Sequence, residues 1–310
     1  MTTQANVPNL LRLSTRVVAA CSLAFLTSCA HLMGRRSDAL QAGTLPGRMY
    51  AGGASCVGTP HFLVHAYNSD FFILRQPACT NYEKPFLYLL FGDRRALLLD
   101  TGAGGIDVAA EVDRAVQAWR AQHGNRAIEL VVAHTHGHGD HVAGDSLFRG
   151  KPGVTLVEKD TASVRAFFGI LRWPRDSATI DLGGRVIDVL PIPGHQPASI
   201  AMYDRRTGIL LTGDTFYPGR LYVRDTAAFA TSVHRLRVFA EQHRIVSILG
   251  THIENMSAPG KDYVVGTKDQ PDEHSLPLTV AQLRTLDDAV TTMRGRFART
   301  VLADFTIWPQ

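Results

Sequence analysis

The densest group of metal-ligand side chains in this sequence directly follows a short apolar run. Residues 128–133 predict a buried strand. Immediately after it comes the octet His134-Thr135-His136-Gly137-His138-Gly139-Asp140-His141. Its four imidazoles and one carboxylate are donors that zinc prefers, and its two glycines give the loop enough freedom to turn several side chains toward one point. The chain must therefore fold so that this strand end meets further ligands.

Three later apolar runs, at residues 186–190, 209–211 and 245–249, also predict strands, and a ligand-type residue follows each of them: His195, Asp214 and His252. One such residue alone would more often be an ordinary loop or core residue. The octet alone could be a His-rich surface tract. Three ligand-type residues in order behind the octet favour one shared metal site.

The ordered set resembles the ligand pattern of the metallo-β-lactamase superfamily, and the resemblance spans about residues 70–255. It is carried by His136-x-His138-x-Asp140-His141, followed by His195, Asp214 and His252. The resemblance implies a mixed α/β (α+β) fold, the four-layer αβ/βα sandwich. The succession of strands first, and then strands alternating with helices, agrees with two packed sheets that have helices outside.

The resemblance also assigns roles and implies two Zn²⁺ ions per chain. His136, His138 and His195 would hold one metal, and Asp140, His141 and His252 would hold the other. Asp214 would bridge the two. Residues 98–102 resemble the first motif of the superfamily, in which Asp100 would orient a ligand by hydrogen bonding.

Such a site implies a metal-dependent hydrolase. Two divalent metals can share a water and lower its pKa toward 7, so that a bridging hydroxide becomes the nucleophile. Asp140 or a metal-bound water would then supply a proton to the leaving group, which makes Asp140 the candidate catalytic residue.

Asp214 argues against the hydrolysis of β-lactam antibiotics. True β-lactamases resemble this pattern but lack the bridging carboxylate. The form Thr212-Gly213-Asp214 resembles glyoxalase II, lactonases and phosphodiesterases. We therefore expect a small-molecule substrate of the ester, thioester or lactone type.

Three alternatives remain open at this point. One is a mononuclear-iron enzyme similar to persulfide dioxygenases, and another is a phosphodiesterase or nuclease on the same fold. The third is a non-catalytic binding lipoprotein that kept the fold. The formal net charge is +4, and the only charged residues among the first 28 are Arg12 and Arg16, so the rest carries only +2. This mild charge argues against a nucleic-acid partner.

Periodicity predicts helices over residues 107–122, 226–243 and 279–297, the last beginning at a capping box of Thr279 and Gln282. Residues 255–276 read as a long irregular loop beside His252, of the kind that often forms a lid or binding loop. Four side chains are candidate substrate contacts, although aromatic packing is the simpler role for the two tyrosines: Tyr217, Tyr222, Arg75 and Glu83.

The N-terminus predicts export. Arg12 and Arg16 precede an apolar run at 17–26, and Leu26-Thr27-Ser28-Cys29 resembles a bacterial lipoprotein processing box. We expect residues 1–28 to be a lipoprotein-type signal peptide, 29–55 a tether and 56–310 the folded domain. The protein would then be periplasmic or on the cell surface, held to a membrane by a lipid on Cys29. An ordinary signal peptide or an uncleaved anchor is the alternative.

Export would also determine the redox environment of Cys56 and Cys79, the two cysteines that follow Cys29 in the chain. In an oxidising compartment they could form a disulfide, whereas two buried free thiols are the alternative. The sequence alone leaves both open.

The lipid anchor can be tested by metabolic labelling with a fatty acid. The wild-type chain should carry the label, and Cys29→Ala should not, because the acylated sulfur is gone. Absence of label on the wild type, or equal label on both proteins, would contradict the lipoprotein interpretation.

Overall fold

The computed structural model describes residues 39–50 and 55–310. The predicted signal peptide and Cys29 lie outside the described residues. Within the described ranges, no helix combines the length and apolar character needed to span a membrane.

The first sheet has six strands in sequential order. They are β1 (Leu63–Asn68), β2 (Phe71–Arg75), β3 (Phe86–Phe91), β4 (Arg95–Leu99), β5 (Glu129–Ala133) and β6 (Val154–Leu156). The first four pair antiparallel, and the last two join in parallel. The helix α1 (Val108–Gln122) makes the crossover between β4 and β5. Every residue of β3 is buried because both faces of the sheet are covered.

The second sheet also has six strands. They are β7 (Ala178–Asp181), β8 (Val186–Pro191), β9 (Ile200–Asp204), β10 (Ile209–Gly213), β12 (Ser247–Gly250) and β13 (Pro277–Leu278), and their spatial order is β13-β12-β10-β9-β8-β7. A smaller three-stranded sheet contains β11 (Arg220–Val223), β15 (Thr306–Pro309) and β14 (Thr300–Val301).

Three apolar clusters define the layers. The largest lies between the two sheets, where Tyr88 and Leu99 of the first sheet share a cluster with Val189 of the second. The outer face of the first sheet packs on α1 through Trp119. Two short helices, α2 (Gly139–Val142) and α3 (Thr161–Phe168), follow α1 in the chain. The outer face of the second sheet is covered by α4 (Thr226–Gln242) and α5 (Val280–Met293). The result is a helix–sheet–sheet–helix sandwich, which confirms the predicted fold class.

The helix ends follow local capping. The side chain of Asp107 accepts from the backbone N–H of Ala110, so Asp107 caps α1 and the helix itself begins one residue later than predicted. Thr279 and Gln282 form the predicted capping box at the start of α5. The predicted end of α5 at residue 297 was wrong. The helix ends at Met293, because Arg294 takes a left-handed φ of 48° and Gly295 follows with a φ of 78°.

Part of the segment predicted as a tether packs onto the domain. The compact unit begins at Leu40, and Met49 is part of the core between the sheets. The backbone N–H of Thr44 donates to the carbonyl of Tyr67 at 2.8 Å. A Cβ on the preceding Gly43 would lie 2.3 Å from the same carbonyl oxygen, so the close approach requires glycine there.

Cys56 and Cys79 form a disulfide, which resolves the alternative left open by the sequence. The bond joins the segment before β1 to the loop between β2 and β3. This loop leads to Glu83 and Lys84, whose roles are described below.

Removing this disulfide should destabilise the fold. The bridged residues are 23 positions apart, and a loop of this size restricts the unfolded chain enough to contribute about 3 kcal/mol. Chemical denaturation should show that loss in Cys56→Ser/Cys79→Ser. A reducing agent should cause the same loss in the wild type and none in the double variant. An unchanged free energy of unfolding in the double variant would contradict a stabilising role.

Candidate metal centre

The predicted site residues meet at one edge of the sandwich. The octet loop follows the end of β5 and contains the short helix α2 (Gly139–Val142). Asp214 follows β10, and His252 lies just beyond β12, which pairs in parallel with β10. Since neighbouring parallel strands end at the same edge, these two residues arrive side by side, and His195 joins them from beyond β8.

Three histidines form the first group of converging donors. Nε2 of His136 lies 3.0 Å from Nδ1 of His138 and 3.2 Å from Nε2 of His195. Nε2 of His195 lies 3.0 Å from Nδ1 of His138. All three nitrogens therefore point at one position.

The second group combines a carboxylate with two histidines. Oδ2 of Asp140 lies 3.2 Å from Nε2 of His141 and 3.2 Å from Nε2 of His252. The two imidazole nitrogens are 3.3 Å apart. Two histidines and one carboxylate make a donor set typical of zinc sites.

Asp214 lies between the two groups and turns one oxygen toward each. Its Oδ2 is 3.7 Å from Nε2 of His136 and 3.5 Å from Nε2 of His195. Its Oδ1 is 3.5 Å from Nε2 of His141 and 3.4 Å from Nε2 of His252. The hydroxyl of Thr251 donates to Oδ1 and helps to fix the orientation of the carboxylate.

The outer nitrogens of three imidazoles are held by oxygen acceptors. Nδ1 of His195 donates to the carbonyl of Tyr222, and Nδ1 of His252 donates to the carbonyl of Glu83, both at 2.8 Å. Nδ1 of His141 lies 3.0 Å from Oδ2 of Asp100. These contacts leave each Nε2 lone pair directed at the centre, which is the usual orientation of a metal-binding histidine.

Asp100 is fully buried at the end of β4 and serves two partners. It lies next to His141, and it also accepts from the backbone N–H of Thr135 at 2.7 Å and from its hydroxyl at 2.8 Å. Its φ of 70° is rare for a residue with a side chain. The sequence predicted that Asp100 orients a ligand, and the structure places it in contact with His141.

The electrostatics differ between the two groups. Burial, reinforced by neighbouring imidazoles, lowers the pKa of His136 and brings that of His138 to about 4. These histidines are therefore neutral, which is the form that binds metal. Burial also opposes charge on His252, but Asp214 and Asp140 outweigh it and raise the pKa of His252 to about 9.

Both carboxylates remain ionised. Burial would raise the pKa of Asp214, but His252 and His141 outweigh it and hold that pKa well below its usual range. The pKa of Asp140 is lowered for the same reason, by His141 and His252 against its own burial.

The spacing and charge of these residues are suited to binding metal ions. The ligand atoms of each group lie within 4.8 Å of one another, and each group could hold one ion: His136, His138 and His195 in the first, and Asp140, His141, Asp214 and His252 in the second. Two ionised carboxylates among converging nitrogens favour positive charge at this place, and bound divalent cations would supply it.

A cleft opens over the centre. Among its lining residues are Glu83, Tyr222, Arg224 and Glu254. Tyr217 also reaches this cleft but is buried, and its hydroxyl donates to the carbonyl of Arg220 and to Glu254. Its hydroxyl is therefore committed to the fold, in agreement with the simpler of its two predicted roles.

Two other predicted side chains lie away from the metal ligands. The expectation that Arg75 contacts substrate was wrong, because its guanidinium is buried and pairs with Glu273. His134 is buried outside both ligand groups, with its Nε2 at 3.3 Å from Oδ2 of Asp145, in keeping with its predicted structural role.

Sequence reasoning missed the carbonyls of Glu83 and Tyr222 as supports of the ligands. Every residue has a backbone carbonyl, so no side-chain pattern marks these two positions.

This chain is similar to several known proteins. The family model described as the metallo-β-lactamase superfamily matches residues 85–240. A solved structure described as a metallo-β-lactamase from Pontibacter korlensis is 18% identical with a TM-score of 0.45, and the match covers 62% of this chain and 91% of that one.

Two curated relatives are both described as hydroxyacylglutathione hydrolases. That of Pseudomonas entomophila is 28% identical over 171 residues, which is 53% of this chain and 61% of the relative. That of Gloeothece citriformis is 33% identical over 129 residues, which is 38% of this chain and 49% of the relative. The chain thus spans about half to three fifths of the length of these relatives. Since the family model covers half of the chain, this protein belongs to the metallo-β-lactamase superfamily.

Proposed function

We propose that this protein is a dinuclear zinc hydrolase that cleaves a thioester, ester or lactone, with thioesters as the preferred class. The observation that carries the proposal is the position of Asp214, whose two carboxylate oxygens face different ligand groups at 3.4 to 3.7 Å. A carboxylate placed in this way is suited to bridge two cations.

Zinc bound by the two groups would lower the pKa of a bound water toward 7 and would polarise the carbonyl of the substrate. The side chains of the protein must orient the substrate and transfer a proton to the leaving group. The side chain of Asp140 is 20% exposed, whereas that of Asp214 is 8% exposed and that of His136 1%. Asp140 is therefore the more accessible of the two carboxylate ligands. We assign to it acceptance of the proton that the attacking water releases and transfer of that proton to the leaving group.

The preference for thioesters rests on the relatives. Their name, hydroxyacylglutathione hydrolase, denotes cleavage of an acyl group from the thiol glutathione. Because this chain matches only part of their length, the proposal extends to the thioester bond and leaves the carrier open.

The cleft lacks the cluster of cations that a phosphodiester backbone would require. Two of its acidic residues, Asp140 and Asp214, are candidate metal ligands whose charge bound cations would offset, and its one arginine is Arg224. The iron-dependent alternative needs only one metal ion, and the second ligand group would then bind no metal.

Metal analysis combined with a substrate panel tests the proposal. The purified protein should hold about two zinc ions per chain and should hydrolyse thioesters faster than simple esters, lactones or phosphodiesters. It should show no thiol-dependent oxygen uptake. One iron per chain together with such uptake would replace the hydrolase with a dioxygenase. Two zinc ions with no hydrolysis of any substrate would favour a binding protein.

Asp214→Ala tests the bridging role. Loss of the shared ligand should remove metal and lower kcat/KM more than about 100-fold, beyond the 10- to 100-fold loss typical of residues that only support a ligand. Metal content after dialysis and kcat/KM on the best thioester measure the two effects. His61→Gln, at an exposed histidine, should retain both properties. A fully active Asp214→Ala protein would remove the bridging assignment.

A further inference from the structure

The small sheet turns one face of β11 toward the metal cleft. Side chains alternate along a strand, so Arg220, Tyr222 and the following Arg224 share a face. Leu221 and Val223 lie on the other face, where both are fully buried. Tyr222 and Arg224 line the cleft, so this strand brings an arginine to the candidate metal centre.

The two arginines on this face differ in their partners. Arg220 is neutralised, because its guanidinium pairs with Glu254 at 3.1 Å and with Asp262 at 2.8 Å. Arg224 forms no ion pair with any residue in 39–50 or 55–310, and its Nε donates only to Oε1 of Gln310, at 3.3 Å. Its positive charge is therefore not offset by a carboxylate of the described chain.

The carboxylate nearest to Arg224 in sequence has another role. Asp225 caps α4, where its side chain accepts from the backbone N–H of Ala228 at 2.9 Å. The side chain of Arg224 is exposed, and its two terminal amino groups form no hydrogen bond within the described residues. These groups are therefore accessible to a ligand in the cleft.

The backbone holds Arg224 at a fixed place beside the first ligand group. The N–H of Arg224 donates to the carbonyl of Gly194 at 3.0 Å, and Nδ1 of the next residue, His195, donates to the carbonyl of Tyr222. Burial is the main cause of the low pKa of His138, and the positive charge of Arg224 adds to it. The arginine is thus positioned by the same contacts that orient a candidate metal ligand.

The charge of the cleft differs between its two sides. Glu83, whose carbonyl supports His252, lies on the side of the second ligand group, whereas Arg224 lies on the side of the first. A guanidinium is a planar fork that matches the two oxygens of a carboxylate. A polyphosphate or a nucleic acid would require several cations, so a single arginine suits one carboxylate.

We propose that Arg224 binds a carboxylate carried by the acyl part of the substrate, so that the enzyme prefers acyl groups that end in a carboxylate. This inference rests on the proposed hydrolase function and adds the substrate class. Asp140, to which we assign proton transfer to the leaving group, belongs to the second ligand group. A substrate whose leaving group lies at Asp140 would extend its acyl part toward Arg224.

The expected effect follows from the strength of a charge-assisted hydrogen bond. Such a bond typically strengthens binding roughly 10- to 100-fold. Because the guanidinium of Arg224 is exposed, water and salt weaken the interaction, and we expect a preference of about tenfold, at the lower end of this range.

The test is calorimetric binding of non-hydrolysable thioethers of N-acetylcysteamine to the zinc-loaded protein. The S-alkyl groups are 3-carboxypropyl, 4-carboxybutyl and 5-carboxypentyl, and each is compared with the carbamoyl compound of the same length, which has nearly the same shape but no charge. In the best-fitting pair, the carboxylate should bind about tenfold more tightly.

Arg224→Gln should lower this ratio to less than about twofold, and the loss should fall on the carboxylate compound. Arg224→Lys should give an intermediate ratio, because it restores the charge without the fork. The matched control, Arg175→Gln, removes an exposed arginine that does not line the metal cleft and should keep the wild-type ratio. With the corresponding thioesters as substrates, kcat/KM should show the same preference and the same loss.

The outcomes separate this site from the proposed reaction. A carboxylate preference that depends on Arg224, in a protein that hydrolyses no thioester, would support the site and contradict the hydrolase. Thioester hydrolysis with equal binding in every pair would leave the reaction standing and overturn the site. An unchanged ratio in Arg224→Gln would also overturn it, because the carboxylate would then bind the zinc ions instead.

A second series distinguishes the acyl part from the thiol carrier. N-acetylcysteine replaces N-acetylcysteamine and places the carboxylate on the thiol, with the carbamoyl compounds kept on the acyl side. We expect Arg224→Gln to leave the effect of this carboxylate unchanged. A preference seen only with N-acetylcysteine, and removed in Arg224→Gln, would overturn the acyl assignment, since Arg224 would then bind the carrier.

Discussion

The buried carboxylate of Asp100 is the contact on which the arrangement of the centre depends. It sits at the end of β4 and binds both Thr135, where β5 gives way to the octet loop, and His141, at the far end of that loop. An unpaired carboxylate in this position would be costly, so its hydrogen bonds select the one loop conformation that satisfies it. The left-handed backbone at Asp100 is compatible with this reading, since strained conformations persist where surrounding contacts determine them.

The opposite side of the centre is organised by buried cations. Arg75 pairs with Glu273, Lys84 reaches Gln270, and Arg220 reaches Asp262, so the loop at 255–276 is attached to three separate strands or loops of the sandwich. Lys84 is also adjacent to Glu83, whose carbonyl orients His252. The same short segment therefore supports a metal ligand and anchors the loop that lines the cleft, which couples the geometry of the metal centre to that of the substrate surface.

Much of this arrangement could be predicted from the sequence, because ligands that follow parallel strands must meet at one edge of a sheet. The capping box of Thr279 and Gln282 likewise located the start of α5. What could not be predicted depends on long-range contacts. Arg75 resembled a substrate contact because its partner Glu273 is 198 residues away. The sequence could not choose between a disulfide and free thiols, since the choice depends on the distance that folding creates between two cysteines.

The residues that would carry out the reaction and the residues that would select the substrate lie on different elements of the fold. The candidate metal ligands converge from the ends of buried strands. The packing of both sheets fixes the positions of these side chains, so the site tolerates few substitutions around it. The residues that would meet the rest of a substrate lie on the β2–β3 loop, on β11 and on the loop at 255–276. Loops of this kind can change length and composition without disturbing the sheets.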